Sequence, residues 1–235
     1  MQQRLSAAAA VLVVFTAGCT TSNPTFEEPG EYEKTFDGLS PVRGTIMDQV
    51  WARRDIDLAG YSKIMLEPIG VEFRDSPRPY SGRAGTGQQT RRSGQSEFAV
   101  DEQTRALFIK EISSAFREEL GRSEVFTIVD EPGPDVLLIR VGLLDVVSMV
   151  PPETMGRSRI FIDRVGEATL VLEIHDSESQ AIYVRAVDRR AAERPGMLIE
   201  SNRVTNRAEV RRLARRWGGI LRDGLDTVLT TGPGE

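Results

Sequence analysis

From Asp135 to Met149 the chain carries its longest apolar run outside the N-terminal leader, and both alternating phases of that run are hydrophobic. Leu137, Ile139, Val141 and Leu143 occupy one phase; Val136, Leu138 and Leu144 occupy the other. A strand with one wet face alternates apolar and polar residues, so this pattern requires a strand covered on both sides, near the middle of a sheet. Glu131-Pro132-Gly133-Pro134 stands just before it as a rigid turn with two φ-locked residues.

The flanking segments supply neighbours for such a strand. Ala168, Leu170, Leu172 and Ile174 alternate with Thr169, Glu173 and His175. After the polar turn Asp176 to Gln180, Ile182, Val184 and Ala186 alternate with Tyr183, Arg185 and Arg189, which predicts an antiparallel hairpin. From Tyr61, Ile64 and Leu66 alternate, Pro68 interrupts, and Ile69, Val71 and Phe73 resume in the opposite phase, the signature of an edge strand or bulge. Val125 to Val129 reads as a further short strand.

Two helices follow from four-residue spacing. Asp101 is placed to cap the first, whose buried face holds Phe108, Ile112, Phe116 and Leu120, with Ile109 and Ala115 beside them. Asn206 and Glu209 resemble a capping box for the second, and Val210, Leu213, Trp217, Ile220, Leu221 and Leu225 form its stripe. The expected fold is α+β: a mostly antiparallel sheet with two main helices packed on one face, a two-layer sandwich. Residues 60–235 are assigned to this single domain, with a mobile insertion at 74–100. Its Arg74 to Ser96 stretch has almost nothing to bury and is basic through Arg83, Arg91 and Arg92.

Cys19 is the only cysteine, so no disulfide can form inside the chain and stability must come from the core. The residues before it have the parts of an export signal: Arg4 as the positive end, Ala7 to Phe15 as the apolar stretch, then small residues. That stretch is too short for a permanent membrane span. Ala17-Gly18-Cys19 resembles the lipobox of bacterial lipoproteins, although Thr16 stands where Leu is usual. The resemblance implies a signal peptide at 1–18 and acylation of Cys19. Thr20, in place of the Asp that retains such proteins at the inner membrane, implies the periplasmic face of the outer membrane. Each buried methylene contributes about 0.8 kcal/mol, so a multiply acylated chain would not leave the bilayer. Residues 19–59, rich in breakers, are expected to be a tether, partly docked through Phe36, Leu39, Val42, Ile46 and Trp51.

Chemistry-bearing patterns are sparse. His175 is the single histidine, so no multi-histidine metal site can form, and its place on the polar phase before a turn predicts a solvent-facing side chain. No Gly-x-Ser-x-Gly elbow accompanies it. Gly82, Gly85 and Gly87 lack the Lys-Ser or Lys-Thr of a phosphate loop. Asp145, Asp163, Asp176 and Asp188 have no spacing that would pair them. No catalytic or metal-binding residue and no cofactor is assigned. Arg207, Arg211, Arg212, Arg215 and Arg216 form a basic stripe on the last helix, which reads as a solvated, carboxylate-paired face or as a surface for an anionic envelope component. A net charge of -5 and scarce aromatics exclude a nucleic-acid partner.

Several segments together resemble a family of bacterial lipoproteins known only as a domain of unknown function, DUF3313. They are Phe36 to Val42, Tyr61 to Phe73, Gly133-Pro134-Asp135-Val136-Leu137 into Arg140, Val187-Asp188-Arg189-Arg190, and Trp217. The family name implies no activity. The expected role is therefore an outer-membrane-anchored periplasmic lipoprotein, held to the membrane by its lipid, acting as a non-enzymatic binding or accessory module for an envelope protein or anionic component. The alternative is a lipid-anchored envelope enzyme with a carboxylate-based site.

Overall fold

The computed structural model describes residues 25–27, 35–75, 97–151 and 159–231. The leader, Cys19 and residues 76–96 of the expected insertion lie outside the described residues. Among the described residues there are eleven strands and two helices: β1 (Thr25–Phe26), β2 (Ser40–Arg43), β3 (Gln49–Ala52), β4 (Lys63–Leu66), β5 (Gly70–Phe73), α1 (Glu102–Leu120), β6 (Thr127–Val129), β7 (Val136–Ser148), β8 (Phe161–Ile162), β9 (Arg164–Asp176), β10 (Ile182–Glu193), β11 (Ile199–Glu200) and α2 (Arg203–Thr231).

Nine strands form one sheet in the order β1-β2-β3-β10-β9-β7-β4-β6, with β5 also on β7; β8 and β11 make a separate ribbon. The pairs from β1 through β7 are antiparallel, and those joining β4 to β6, β4 to β7 and β5 to β7 are parallel. Both helices pack on one face, so the α+β sandwich expected from the sequence is the fold. β7 lies inside the sheet, between β9 and the β4/β5 edge, but the expected cover on both faces is met on one: the helices cover the Leu137, Ile139 and Leu143 phase, and Leu144 on the other is 41% exposed. Pro68, which has no N–H to give a ladder, divides β4 from β5 along the same edge of β7.

The core lies between the sheet and the helices. Leu137, Ile139, Leu143, Leu170, Leu172 and Ile174 meet Ile112, Phe116 and Leu120 of α1 and Trp217, Leu221 and Leu225 of α2. The helices approach closely at Gly218, where an added Cβ would sit 3.0 Å from the Glu119 Cβ. Asp101 caps α1, its Oδ1 accepting from the Thr104 amide at 2.7 Å. The cap of α2 differs from the expected Asn206: Asn202 Oδ1 accepts from the amides of Val204 and Thr205, both at 3.0 Å, and Asn206 already lies within the helix. Glu209 is instead buried, paired with Arg194 and Arg212.

The division at residue 60 needs correction. β2 and β3 are strands of the main sheet, and Leu39, Val42, Val50 and Ala52 are buried in it, so the folded body takes in residues 40–52. The reason is long-range: β3 satisfies the free edge of β10, pairing Val50 with Ala186. Phe36, expected to dock, is 98% exposed, while Leu39 is fully buried. The ends of the expected insertion are also engaged, with Arg74 N donating to Val146 O and Phe98 N to Ser148 O.

Between Leu144 and Val147 the β7–β9 register shifts, and Asp145 adopts φ 54° in the left-handed region. Opposite this bulge, a Cβ on Gly166 would lie 2.2 Å from the Val147 carbonyl oxygen. Gly166→Ala should therefore destabilise strongly. Overpacking costs about 1–3 kcal/mol where side chains can yield, and here the backbone must move, so the loss belongs at the upper end of that range. A denaturant midpoint equal to that of the parent would contradict the close approach.

Candidate functional site

The face of the sheet opposite the helices is uncovered by any helix among the described residues, and the chain's charged chemistry collects there. At its lower end, Arg140 of β7, Glu173 of β9 and Arg185 of β10 stand side by side in register. Arg185 Nε donates to Glu173 Oε1 at 2.8 Å and its Nη2 lies 2.7 Å from Asp37 Oδ2. His175 Nε2 is 3.0 Å from Glu173 Oε2, and its Nδ1 is 3.1 Å from the Gln180 carbonyl. Arg140 then joins the Gln180 side chain at 2.7 Å to Glu67, with Nε at 3.0 Å from Oε2. One continuous polar chain thus crosses from the loop before β2 to the β4–β5 connection.

His175 is buried, 6% exposed, which corrects the solvent-facing expectation. Its alternation phase is as expected, but the 176–181 turn brings Gln180, itself at φ 61°, back over the ring, and Glu173 takes the second nitrogen. With both ring nitrogens committed, the ring has no lone pair directed at a reacting group. Burial alone would raise the Glu173 pKa, yet the hydrogen bonds and charges of Arg185 and His175 outweigh it and hold the carboxyl below its ordinary value. Asp37 behaves alike, with burial opposed by Thr35 and Arg185. Beside this chain, Tyr61 donates to Asp176 at 2.8 Å and meets the Tyr183 hydroxyl at 2.8 Å. Burial, then the bonds to Tyr183 and Asp176, push the Tyr61 phenol far up and keep it protonated.

The bulge presents Asp145 at the upper end of the same face. Arg74 grips it with two bonds of 2.5 Å, and Arg189 Nη1 adds a third at 2.8 Å while reaching Thr169 at 3.1 Å. Hydrogen bonds from Arg74 and Arg189 hold the Asp145 carboxyl far below the usual range. In the sequence Asp145 reads as a turn former or arginine partner, and Arg74 and Arg189 are its partners; the available signal was an acid inside a mainly apolar central strand. Of the four aspartates considered, none converges with another on an open site. Asp188 is 1% exposed on the helix side, accepting from Trp217 Nε1 at 2.7 Å.

The arginine stripe of α2 is mostly spent inside the molecule. Arg207 pairs with Glu111, Arg211 with Glu111 and Glu118, Arg212 with Glu209, and Arg215 with Glu118 at 3.1 Å. Arg216 has no ion-pair partner among the described residues. The stripe clamps α2 to α1, and its charge is largely neutralised.

A cleft of about 310 Å³ lies where α1 leaves the sheet, lined by Phe73, Arg74, Phe98, Arg105 and Val147 among others. Arg105 stacks 4.8 Å from the Phe73 ring centroid and donates to the Val100 carbonyl at 3.1 Å. Among the described residues no cluster of three His, Cys, Asp or Glu could hold a metal ion, and no helix is long and apolar enough to cross a membrane.

The family model described as a protein of unknown function, DUF3313, matches residues 30–220. No curated protein matches the chain. Among solved structures, the PelC dodecamer from Paraburkholderia phytofirmans is 9% identical over 69% of this chain and 89% of that one, with a TM-score of 0.33. Protein XCC0632 from Xanthomonas campestris, of family DUF330, is 9% identical over 68% and 80%, at 0.34. The hypothetical protein CT253 from Chlamydia trachomatis is 9% identical over 68% and 98%, at 0.31. Likenesses this distant assign no activity.

The Asp37–Arg185–Glu173 arrangement sets a pH dependence. Because Glu173 and Asp37 have folded pKa values below their unfolded ones, their contribution to stability is present above the unfolded values and is lost as pH falls through the folded ones. Arg185→Met removes the cation that both face. The stability gap between parent and variant should be widest near neutral pH and shrink progressively below about pH 4. Urea denaturation across that range measures it, and a gap that stays constant would refute the coupling.

Proposed function

The chain belongs to the DUF3313 family, whose function is unknown, and from that premise we propose that it is a lipid-anchored bacterial envelope protein whose uncovered sheet face binds another envelope component. The observation that carries this reading is the face itself. Val171 and Val187 sit as a partly buried cross-strand pair at its centre, with Trp51 partly buried and Leu144 41% exposed. Arginine–carboxylate pairs frame them on both sides. An apolar centre with a polar rim is the anatomy of an association surface. The carboxylate-enzyme alternative would require an acid free to exchange protons. Glu173, Asp145, Asp37, Glu67 and Glu167 on this face each meet an arginine instead. The anionic-partner role of Arg207, Arg211, Arg212 and Arg215 is correspondingly weaker, since their carboxylate partners are already in place.

The anchor rests on Ala17-Gly18-Cys19 and the leader before it. Outer-membrane placement, facing the periplasm, follows from Thr20 by the sorting rule for such lipoproteins. Cys19→Ser should abolish incorporation of labelled palmitate, leave a larger unprocessed precursor and deplete the protein from the outer-membrane fraction. Unchanged processing and fractionation would eliminate the anchor.

The binding face is tested by placing a photoreactive side chain at Val187 and, as a control, at Arg216. Irradiation of intact cells should give a discrete adduct from position 187 and none from 216. Adducts from 216 alone would move the interaction to the helix surface.

A further inference from the structure

We infer that the end of the molecule built by the β8–β11 ribbon and the start of α2 is a membrane-contacting tip that dips into the lipid surface. Four large apolar side chains stand out there: Phe161 is 54% exposed, Met197 60%, Leu198 69% and Val204 77%. Within the ribbon, Ile162 and Ile199 pair and turn inward against Val165, Val210 and Leu213. Phe161 and Leu198 fall on the opposite, outer face by alternation. Thr205 of α2 bonds the Glu200 carbonyl, which holds Val204 beside the ribbon. The inner face therefore stabilises the fold, and the outer apolar face serves nothing within it.

The register of the sheet decides what covers this tip. Thr25 pairs with Arg43, Val42 with Val50, and Gln49 with Val187, so Thr25 stands level with Val187. β1 runs antiparallel to β10, so the N-terminal end of β1 faces the direction in which β10 climbs from Val187 to Glu193 toward the ribbon. That climb is about 20 Å at roughly 3.3 Å per residue. From Thr25 back to Cys19 there are only as many residues again, which reach at most about 20 Å when fully extended. That reach matches the climb to the tip, so an acyl chain on Cys19 enters a bilayer only where the headgroups come within about 20 Å of Thr25.

The charged groups described beside the ribbon are paired with one another, Arg159 with Glu200 at 3.7 Å and Arg164 with Glu193 at 3.6 Å, so the tip meets a lipid surface through its apolar side chains.

The proposal rests on the lipid-anchor reading, and the experiment separates the two. The full chain carrying Phe161→Trp, or Leu198→Trp as an independent variant, is reconstituted into vesicles of phosphatidylethanolamine and phosphatidylglycerol, with or without bromine on the acyl chains. Its N-terminal mass is measured in parallel, and emission from Trp51 and Trp217 is subtracted using the parent protein. The expected result is a loss of the introduced indole's emission in brominated vesicles together with protection from iodide. Iodide quenching without bromine quenching, on a chain acylated at Cys19, would overturn the tip and leave the anchor standing. Bromine quenching without acylation would reject the anchor and retain the tip. Protection from both quenchers, with crosslinks between identical chains, would show a second copy on the patch and overturn the proposal.

Discussion

A carboxylate with 1% exposure, Asp188, ties the sheet, the second helix and the N-terminal strands into one body. Its Oδ2 accepts the Trp217 indole N–H at 2.7 Å and a bond from Arg190 Nε; Oδ1 accepts Arg190 Nη2 at 3.2 Å and the Asp48 amide at 3.3 Å. Asp48 answers by accepting the Arg189 amide at 2.8 Å, and Arg190 also reaches the Ile46 carbonyl at 3.1 Å. A buried ion is tolerated only when paired and fully hydrogen-bonded, and removing one partner of such a pair costs about 3–5 kcal/mol. Three segments distant in sequence must therefore arrive together. Once they do, the 44–48 turn is fixed, β2 and β3 are in register on β10, and the exit of the N-terminal chain is set.

This dependence explains what the sequence revealed and what it hid. The two-phase run 135–149 announced a central strand because its signal is local: apolar residues fill most positions of β7 on both phases, with Arg140 and Asp145 the charged exceptions. Helix α1 and the β9–β10 hairpin were legible for the same reason. β2 and β3 were not. Each has four residues, and Pro41, Gly44 and Arg43 within or beside them carry the marks of a linker. Their place comes from a partner strand some 140 residues away, as the Asp48–Asp188 contact shows. His175 failed in the complementary way. Its phase was read correctly, but phase fixes only the side of the sheet, and the left-handed Gln180 that closes the turn over it cannot be seen from alternation. The motifs that carried the family resemblance prove to be framework: Val187 to Arg190 and Trp217 form the Asp188 knot, and Arg140 and Asp37 belong to the polar chain on the open face.

That polar chain shapes the candidate interaction surface more by neutralisation than by stabilisation. Half-exposed ion pairs contribute about 0–1 kcal/mol each, so the Arg185, Arg140 and Arg189 pairs do little for the fold. What they do is cancel. A face dense in guanidinium and carboxylate groups presents little net charge, and a charged partner would have to displace pairs already in place. The apolar centre around Val171, Val187 and Trp51 is the part that can release water on contact without breaking anything. Asp145 adds rigidity at the upper edge, where a left-handed backbone is held by the grip of Arg74 and Arg189 and by the glycine opposite.

The molecule also has two unlike ends. At the lower end the chain turns tightly, at 131–135 and 176–181, and Ser177 bonds Gly133 to lock the two turns together. At the upper end lie the helix N-termini, the ribbon, and Arg74 and Phe98 bonded to the end of β7. Strands of twelve or thirteen residues, β7, β9 and β10, connect the ends as near-continuous struts. With the upper end against a bilayer, these struts stand away from the membrane and the uncovered face points sideways along it. A partner anchored in or moving over the same membrane would then meet the Val171–Val187 centre laterally.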